Sequence, residues 1–452
     1  MGAMQTRGVL IRGGAVVTVD PAIGTLPRGD VRIIDGMIES VGTELEAGDL
    51  DIIDASGMIV MPGLIDTHYH MWSTIGRSFI ADGGYGYYPA KLATAHLYEP
   101  DDFYVSVLLG LAELANNGVT TVHNWSHNSR SAAHTDAELR AHSEIPLRAR
   151  YSLGHCEGLP ADAINAYDDL SRVQDQWFAD GAPLHGLVHL ALNLRGMTQS
   201  VPGVFHTEME RALARKLAVS IHATQSLPNL DDAVDYERRG YLGPDFLFCH
   251  FIGASQADRE ALARTRTPLT FATWSEMRLT ETGDPRAAFM LMRAAGVPIS
   301  LSSDATSISA PNMFEQMRAT WNMAVPWRDT ATDGMPPLGF LETIEMATIR
   351  GAEALGLGHV TGSLTPGKKA DVILIDGNDV NIAPVTHIET AIIQCATPAN
   401  VDTVIVGGRI LKRDKRLVGI DTTRLVSAAK TSAMRIRSAA GGRLAPSSCG
   451  CC

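Results

Sequence analysis

Between residues 63 and 363 the chain repeats one local pattern, a short apolar segment followed by a helix-like segment. The first apolar segment, Met58–Ile65, leads into His68, and seven more follow it. These seven are Val119–Val122, Leu147–Ser152, Gly186–Leu192, Ala218–His222, Phe246–His250, Pro268–Phe271 and Val297–Leu301. Eight strand-helix units in about 300 residues are typical of a (β/α)₈ barrel. The sequence therefore predicts an α/β fold of the TIM-barrel type.

Both ends of the chain have a different sequence pattern, which is typical of β-strands separated by turns. Short apolar segments separated by turns fill residues 7–62, and Asp35-Gly36 is a strong hairpin signal. We read Gly8–Arg12 and Ala15–Val19 there as two separate strands. Similar segments return at residues 370–376 and 403–411, and a helix is predicted near residues 423–438. We expect a small β-sandwich built from residues 1–62 and 364–415, a barrel over 63–363, and a helix with a cysteine-containing tail over 416–452.

Charge and hydropathy exclude several classes of partner. The formal net charge is −12, and the sequence has no cluster of Lys and Arg that would attract nucleic acid or an anionic membrane. No apolar stretch approaches the roughly 18 residues that span a bilayer, and no signal-peptide pattern is evident. The sequence predicts a cytoplasmic protein that acts on a small molecule.

Metal-ligating residue types stand at the ends of four predicted strands. His68 and His70 follow the first, and His222, His250 and Asp304 lie at the ends of later ones. Side chains at i and i+2 of an extended segment point to the same side, and parallel barrel strands all end on one face. Several imidazoles with one carboxylate indicate a catalytic metal site, since structural zinc sites usually close their coordination with thiolates.

The segment Pro62-Gly-Leu-Ile-Asp-Thr-His-Tyr-His70 resembles the opening motif of the amidohydrolase superfamily. The return into the small sheet at Gly362–Leu374 resembles the same superfamily. Ser303-Asp304-Ala305, followed by Asn312–Arg318, is similar to its branch of chlorohydrolases and deaminases that act on triazines, pyrimidines and purine derivatives. That branch uses one metal ion.

The resemblance implies that His68, His70, His222 and Asp304 hold one divalent ion. Zinc is the first expectation and iron(II) the second. Asp304 would also act as general base, and His250 would orient or polarise the attacking water, although a ligand role for His250 stays open. The strand-four candidate, residues 187–195, contains no lysine that could bridge a second metal.

The chain departs from the branch after strand five. Deaminases of this branch usually carry His-x-x-Glu there, whereas this chain has Gln225. Glutamine cannot deliver a proton, and general acid assistance is typically worth about 10² to 10⁴-fold. Glu276, just beyond strand seven, is one candidate replacement, and a surface carboxylate at a helix start is the alternative for this residue.

Six residues near the predicted catalytic face are assigned to substrate binding. Some belong to an aromatic, glycine-rich loop after His70 that suits either a mobile lid or an oligomer contact, and the others follow strands two and four. They are Trp72, Tyr85, Tyr88, His123, Trp125 and Arg195.

Together these features predict a metal-dependent hydrolase that attacks a C–N bond of an amide, ureide or amidine-like carbon in a nitrogenous small molecule. One alternative is a deaminase or dechlorinase of a nitrogen heterocycle. Another is a catalytically lapsed barrel that only binds a metal or ligand. A homo-oligomer, a dimer or larger, is expected because symmetric assembly is common.

Overall fold

The computed structural model describes residues 8–81, 86–165, 167–196, 199–223, 233–325 and 335–446. The strands in these ranges are β1 Gly8–Val17, β2 Thr25–Ile34, β3 Met37–Gly42, β4 Asp51–Asp54, β5 Met58–Pro62, β6 Leu64–Tyr69, β7 Val119–Ser126, β8 Arg148–Leu153, β9 Val188–Leu194, β10 Val219–His222, β11 Phe246–Cys249, β12 Leu269–Phe271, β13 Ile299–Leu301, β14 Val372–Asp376, β15 Val401–Val406, β16 Arg409–Arg413 and β17 Arg416–Leu417.

The α-helices of the described ranges are α1 Tyr87–Thr94, α2 Pro100–Asn116, α3 Ala132–Glu144, α4 Leu170–Val173, α5 Pro202–Ala214, α6 Ala233–Arg238, α7 Gln256–Thr265, α8 Thr273–Leu279, α9 Pro285–Ala295, α10 Met313–Ala324, α11 Phe340–Met346, α12 Ile349–Ala354, α13 Ile388–Thr390 and α14 Thr422–Ala440. None of these helices is both long and apolar enough to cross a membrane.

The strands β6 to β13 form one parallel sheet in which neighbours along the chain are neighbours in space. Their side chains are largely buried, as expected for parallel strands covered by helices. An isolated parallel bridge between Tyr69 and Asp304 joins the end of β6 to the segment after β13. The predicted barrel is therefore confirmed, and it closes between its first and last strands.

A separate mixed sheet combines strands from both ends of the chain. Its order is β17-β16-β15-β14-β5-β1-β2-β3, with β4 paired to β1. The strand β5 lies next to β14 in an antiparallel pair, so the segment before the barrel meets the segment after it. The predicted small β-structure built from the two ends is present.

The hairpin predicted at Asp35-Gly36 is confirmed. It joins β2 to β3, and both turn residues have positive φ, +48° and +75°. Two positive φ angles are typical of a type I′ turn, which asparagine, aspartate and glycine tolerate. The expectation of two strands over residues 8–19 is wrong, because β1 is continuous. Its register shifts near Gly14, and Gly13 has φ +78°, so the irregularity bends the strand without ending it.

A buried ion pair connects the barrel to the small sheet. Arg148, at the start of β8, donates from Nε and Nη2 to the two carboxylate oxygens of Asp371, at 2.7 and 3.2 Å. Both side chains are at most 2% exposed. The backbone N–H of Gly407 also donates to Asp371, at 2.7 Å. This bidentate pair fixes the sheet against the N-terminal end of the barrel strands.

Candidate metal centre

Five predicted metal-site residues lie at the carboxyl ends of barrel strands. His68 is in β6 and His70 follows it, His222 ends β10, and His250 follows β11. Asp304 lies three residues beyond β13. Because parallel strands end on the same face, side chains that are 236 positions apart in sequence come together at one mouth.

The backbone places Asp304 directly against His68, in β6, and His70, which follows this strand. The N–H of His70 donates to the carbonyl of Asp304 at 2.9 Å, and the N–H of Asp304 donates to the carbonyl of His68 at 2.9 Å. Asp304 and His250 have positive φ, +67° and +78°. Non-glycine residues rarely adopt this conformation, and it concentrates at functional sites.

The carboxylate of Asp66 reinforces the same junction. It accepts hydrogen bonds from the backbone N–H of His68 at 3.2 Å, from the backbone N–H of Ser303 at 3.1 Å and from the Ser303 hydroxyl. Burial raises the pKa of Asp66 to about 7. Asp66 therefore holds the backbones on both sides of the β6/β13 closure.

Three distances between candidate ligand atoms match the spacing of ligands around a tetrahedral cation. Nε2 of His68 lies 3.2 Å from Nε2 of His222 and 3.3 Å from Oδ1 of Asp304, and Nε2 of His70 lies 3.1 Å from the same oxygen. Ligand atoms about 2.0–2.1 Å from a tetrahedral zinc ion lie roughly 3.3 Å from each other. Nitrogens this close must share a proton or a cation, and the adjacent carboxylate favours the cation.

Burial also sets the protonation of the rings. It lowers the pKa of His68, His70 and His222, so these imidazoles are neutral at pH 7. Neutral imidazole is the form that binds metals. The donor set and its protonation therefore fit a divalent ion such as zinc.

His250 lies on the edge of this group and has its own carboxylate. Its Nδ1 donates to Oε1 of Glu276 at 2.7 Å. One nitrogen from each of His68, His222 and His250 lies within 4.8 Å of the others. Burial alone would lower the pKa of His250, but the Glu276 carboxylate raises it above the usual value. The ring therefore directs Nε2 toward the candidate ligands while Nδ1 is held by Glu276.

Glu276 differs most from one expectation based on its sequence position, that of an exposed side chain at a helix start. The alternative of a surface carboxylate is wrong, because the side chain of Glu276 is fully buried in α8. Its Oε2 has no hydrogen-bond partner among the described residues. Sequence reasoning missed the neighbouring Ser275, whose hydroxyl donates to Oδ2 of Asp304 at 2.5 Å. Its position just after a barrel strand is the signal that could have found it.

The predicted substrate-binding residues fall into different environments. Trp125 is buried against the rings of His68 and His222, with centroids 4.8 and 4.3 Å away. His123 lies two residues before Trp125 in β7. It is buried and donates from Nδ1 to the carbonyl of Thr67 at 2.8 Å. Tyr88, in α1, is half exposed. Tyr85 and Gln225 lie outside the described residues.

Trp72 and Arg195 are both buried and contact other groups of the protein, and their assignment to substrate binding stays a prediction. Trp72 lies in a 3-10 helix, Met71–Gly76, and is 1% exposed. The guanidinium of Arg195 is buried and donates to Glu208 at 3.0 Å and to the carbonyl of Pro160 at 2.8 Å. Their position after a strand predicted proximity to the mouth, but the strand pattern does not show which way a side chain turns.

Comparison with protein-family models gives a match to the amidohydrolase family over residues 275–411. Among curated proteins, a 5-methylthioadenosine/S-adenosylhomocysteine deaminase of Acetivibrio thermocellus is 26% identical over 95% of this chain and 99% of its own length. A 5'-deoxyadenosine deaminase of Methanosarcina mazei is 28% identical over 94% of this chain and 97% of its own length.

Solved structures share the fold. An adenosine deaminase from Xanthomonas campestris with bound zinc has a TM-score of 0.79 and 22% identity, covering 95% of this chain and 98% of that one. Atrazine chlorohydrolase from Arthrobacter aurescens, complexed with zinc, has a TM-score of 0.80 and 20% identity, covering 94% and 100%. These structural matches confirm the predicted fold class, and the family and curated-protein matches confirm the predicted resemblance.

Proposed function

Since this chain resembles the amidohydrolase superfamily in sequence and in fold, we propose that it is a metal-dependent hydrolase that breaks a C–N bond of a nitrogenous small molecule. The observation that carries the proposal is the 3.1–3.3 Å separation of three pairs of ligand atoms, His68–His222, His68–Asp304 and His70–Asp304. Zinc is the proposed ion and iron(II) the alternative. A bound divalent cation supplies a water whose pKa is lowered toward about 7.

The chain's own residues would divide the remaining work. Asp304 presents Oδ1 to the ligand group and receives the Ser275 hydroxyl on Oδ2, so its carboxylate is oriented to take a proton from water. His250 is anchored at Nδ1 by Glu276 and offers Nε2 to the attacking water or to the substrate. The fixed carboxylate of Asp304 and the fixed ring of His250 are the proposed base and polarising group.

A deaminase of a nitrogen heterocycle is the second candidate. Its support is the similarity over about 95% of the chain to relatives named as adenosine-derivative deaminases. Gln225, where this branch usually has Glu, weighs against efficient ring protonation. A dechlorinase is a third possibility on fold likeness alone, and a barrel that binds metal without turnover is the non-enzymatic rival.

The deciding experiment is to purify the protein, measure its metal by mass spectrometry and assay product release from a panel of compounds. The panel contains amides, ureides, purines, pyrimidines and triazines, with ammonia, amine and chloride as products. We expect about one ion per chain and release of ammonia or amine that His68→Ala abolishes. Metal at trace level, or activity unchanged in His68→Ala, would contradict the proposal.

We propose a small-molecule substrate with no nucleic-acid partner, a homo-oligomeric state and a cytoplasmic location. We also propose the domain organisation that the sequence predicts, with boundaries at residues 1–62, 63–363, 364–415 and 416–452. Size-exclusion chromatography with light scattering tests the oligomeric state.

A further inference from the structure

We infer that His127 and Glu157 are positioning residues of the metal centre, which keep the proton of His70 on Nδ1 and so leave its Nε2 free for the ion. The inference rests on the proposed function, because it gives these residues a role only if His70 is a ligand. The supporting observation is a series of side-chain contacts that runs from His70 through His127 to Glu157.

Each link of this chain is within hydrogen-bond distance. Nδ1 of His70 lies 3.2 Å from Nδ1 of His127, and Nε2 of His127 lies 2.9 Å from Oε1 of Glu157. The ammonium of Lys91, in α1, lies 2.7 Å from the same carboxylate oxygen. The residues come from three different places: the segment after β6, the segment after β7 and the segment after β8. Their contact is thus a product of the barrel and not of local sequence.

The indole of Trp72 fixes the direction of the hydrogen bonds. Its Nε1–H lies 3.1 Å from Nδ1 of His127 and can only donate. Nδ1 of His127 must therefore be the unprotonated nitrogen that accepts. The ring proton of His127 is then on Nε2, where it meets Glu157, and the proton between His127 and His70 must come from Nδ1 of His70.

A competing arrangement would put the proton of His127 on Nδ1. The carbonyl of Trp125 lies 3.4 Å from this nitrogen and could accept it. That distance is longer than a normal N–H···O bond. The competing arrangement would also point the Nδ1–H of His127 toward the indole N–H of Trp72. It would leave Nε2 of His127 and the Glu157 carboxylate facing each other as two hydrogen-bond acceptors. In the arrangement that begins at Trp72, Nε2–H of His127 donates to Glu157, and the lone pair of His127 Nδ1 is the shared acceptor of the Trp72 and His70 N–H groups.

Packing holds the chain in place. Trp72 is 1% exposed and its ring contacts Tyr98 and Phe103, with centroids 5.0 and 5.9 Å away. The His127 side chain is 3% exposed and that of Glu157 17%. Burial alone would raise the pKa of Glu157, but His127 and Lys91 hold it well below the usual range. The terminal acceptor is therefore a carboxylate at neutral pH.

His68 has a weaker partner on its non-ligand nitrogen. Its Nδ1 lies 3.5 Å from the sulfur of Cys249, which is a poor acceptor. A metal-binding histidine is more basic and better oriented when its other ring nitrogen donates to a good acceptor. The surroundings of His70 therefore improve it as a ligand more than those of His68 do.

The test measures zinc release from the loaded protein and does not depend on turnover. Zinc-loaded wild type and variants are mixed with a colorimetric zinc chelator, and the rate of zinc loss is followed. His127→Asn keeps an acceptor near the position of Nδ1, whereas His127→Leu, of similar size, removes it. Glu157→Gln removes the charge at a partly exposed position where misfolding is less of a risk.

Glu113→Gln is the matched control. The side chain of Glu113 is 21% exposed and forms an ion pair with Arg77 at 2.6 Å. It is not one of the side chains that connect His70 through His127 to Glu157. We expect His127→Leu and Glu157→Gln to release zinc about 10-fold faster than wild type or more, because loss of an outer partner of a ligand typically lowers metal affinity by about 10- to 100-fold. His127→Asn should fall nearer to wild type, and Glu113→Gln should match it.

Two outcomes separate this inference from the function on which it rests. Wild-type protein that binds no zinc would overturn the proposed metal enzyme and the inference with it. Wild-type protein that holds zinc, while His127→Leu and Glu157→Gln release it at the wild-type rate, would overturn the inference alone. Equal release by His127→Asn and His127→Leu would also overturn it, since the acceptor would then be irrelevant.

Discussion

Asp304 combines a backbone role and a side-chain role at one position. Its N–H and carbonyl make the bridge to β6, and its carboxylate faces His68, His70 and Ser275. The left-handed backbone, φ +67°, turns the side chain into the mouth. A residue with so many constraints should be sensitive to loss of charge even when the fold survives.

Asp304→Asn should lower turnover by about 10² to 10⁴-fold, because it removes the proposed general base. Asparagine tolerates the left-handed conformation, so the variant should fold. Steady-state kinetics on the best panel substrate, with circular dichroism as the folding check, measures this effect. Ser275→Ala, which keeps the carboxylate, should lose much less. Turnover in Asp304→Asn equal to that of wild type would rule out the assignment of Asp304 as base.

Gln225→Glu should raise the rate with ring-amine substrates if the missing acid limits them. A carboxyl group can deliver the proton that an amide cannot, and such assistance is worth about 10²-fold or more. Ammonia release from purine and pyrimidine amines is the measurement, with a simple amide as the comparison substrate. An unchanged or lower rate on the ring amines would argue against this role for position 225.

At the scale of strands and turns, two glycine-containing turns pack against each other. A Cβ on Gly36, in the β2–β3 hairpin, would lie 2.4 Å from the carbonyl oxygen of Gly407, in the turn between β15 and β16. This contact brings a turn from the N-terminal segment against a turn from the C-terminal segment. It depends on backbone alone and leaves no room for a side chain.

Gly36→Ala should destabilise the protein by about 1 kcal/mol or more, because it adds a clash with backbone to the strain of positive φ. Gly24→Ala is the matched control, since Gly24 has the same φ of +75° but nothing within 4 Å of the added Cβ. Urea denaturation of both variants gives the two free energies of unfolding. Equal losses would show that the contact with Gly407 contributes nothing.

Strand order was predictable from the sequence, and side-chain direction was not. Alternation of apolar segments and helices indicates eight parallel strands, and strand ends then bring His68, His222 and Asp304 together. The same logic placed Arg195 and Trp72 near the mouth but could not tell that one side chain pairs with Glu208 and the other packs inward. Those directions depend on neighbours distant in sequence.

At the scale of the whole molecule, the proposed ion would sit where the barrel closes. Its ligands come from the first strand, the fifth strand and the segment after the eighth. A ligand that binds only the folded state stabilises it, by about 4 kcal/mol at a thousand times its dissociation constant. Metal occupancy and barrel integrity should therefore be coupled.

Removal of the metal should lower the midpoint of thermal unfolding by several degrees. Scanning calorimetry of the protein before chelation, after chelation and after zinc is restored measures this effect. His68→Ala provides the control, because its midpoint should not respond to zinc. Identical midpoints in the loaded and chelated wild type would show that the ion does not bridge the strands as proposed.

The pairing of the β6 end with the segment after β13 also determines when, during protein synthesis, the site residues can meet. During synthesis, His68 and His70 leave the ribosome 236 and 234 residues before Asp304. At about 5–20 residues per second, this gap is roughly 10 to 50 seconds. For that interval two exposed imidazoles have neither their carboxylate nor their strand partner. The proposed ion site therefore cannot be complete until nearly the whole barrel has been translated, and we expect any metal loading to be a late event in the biogenesis of this protein.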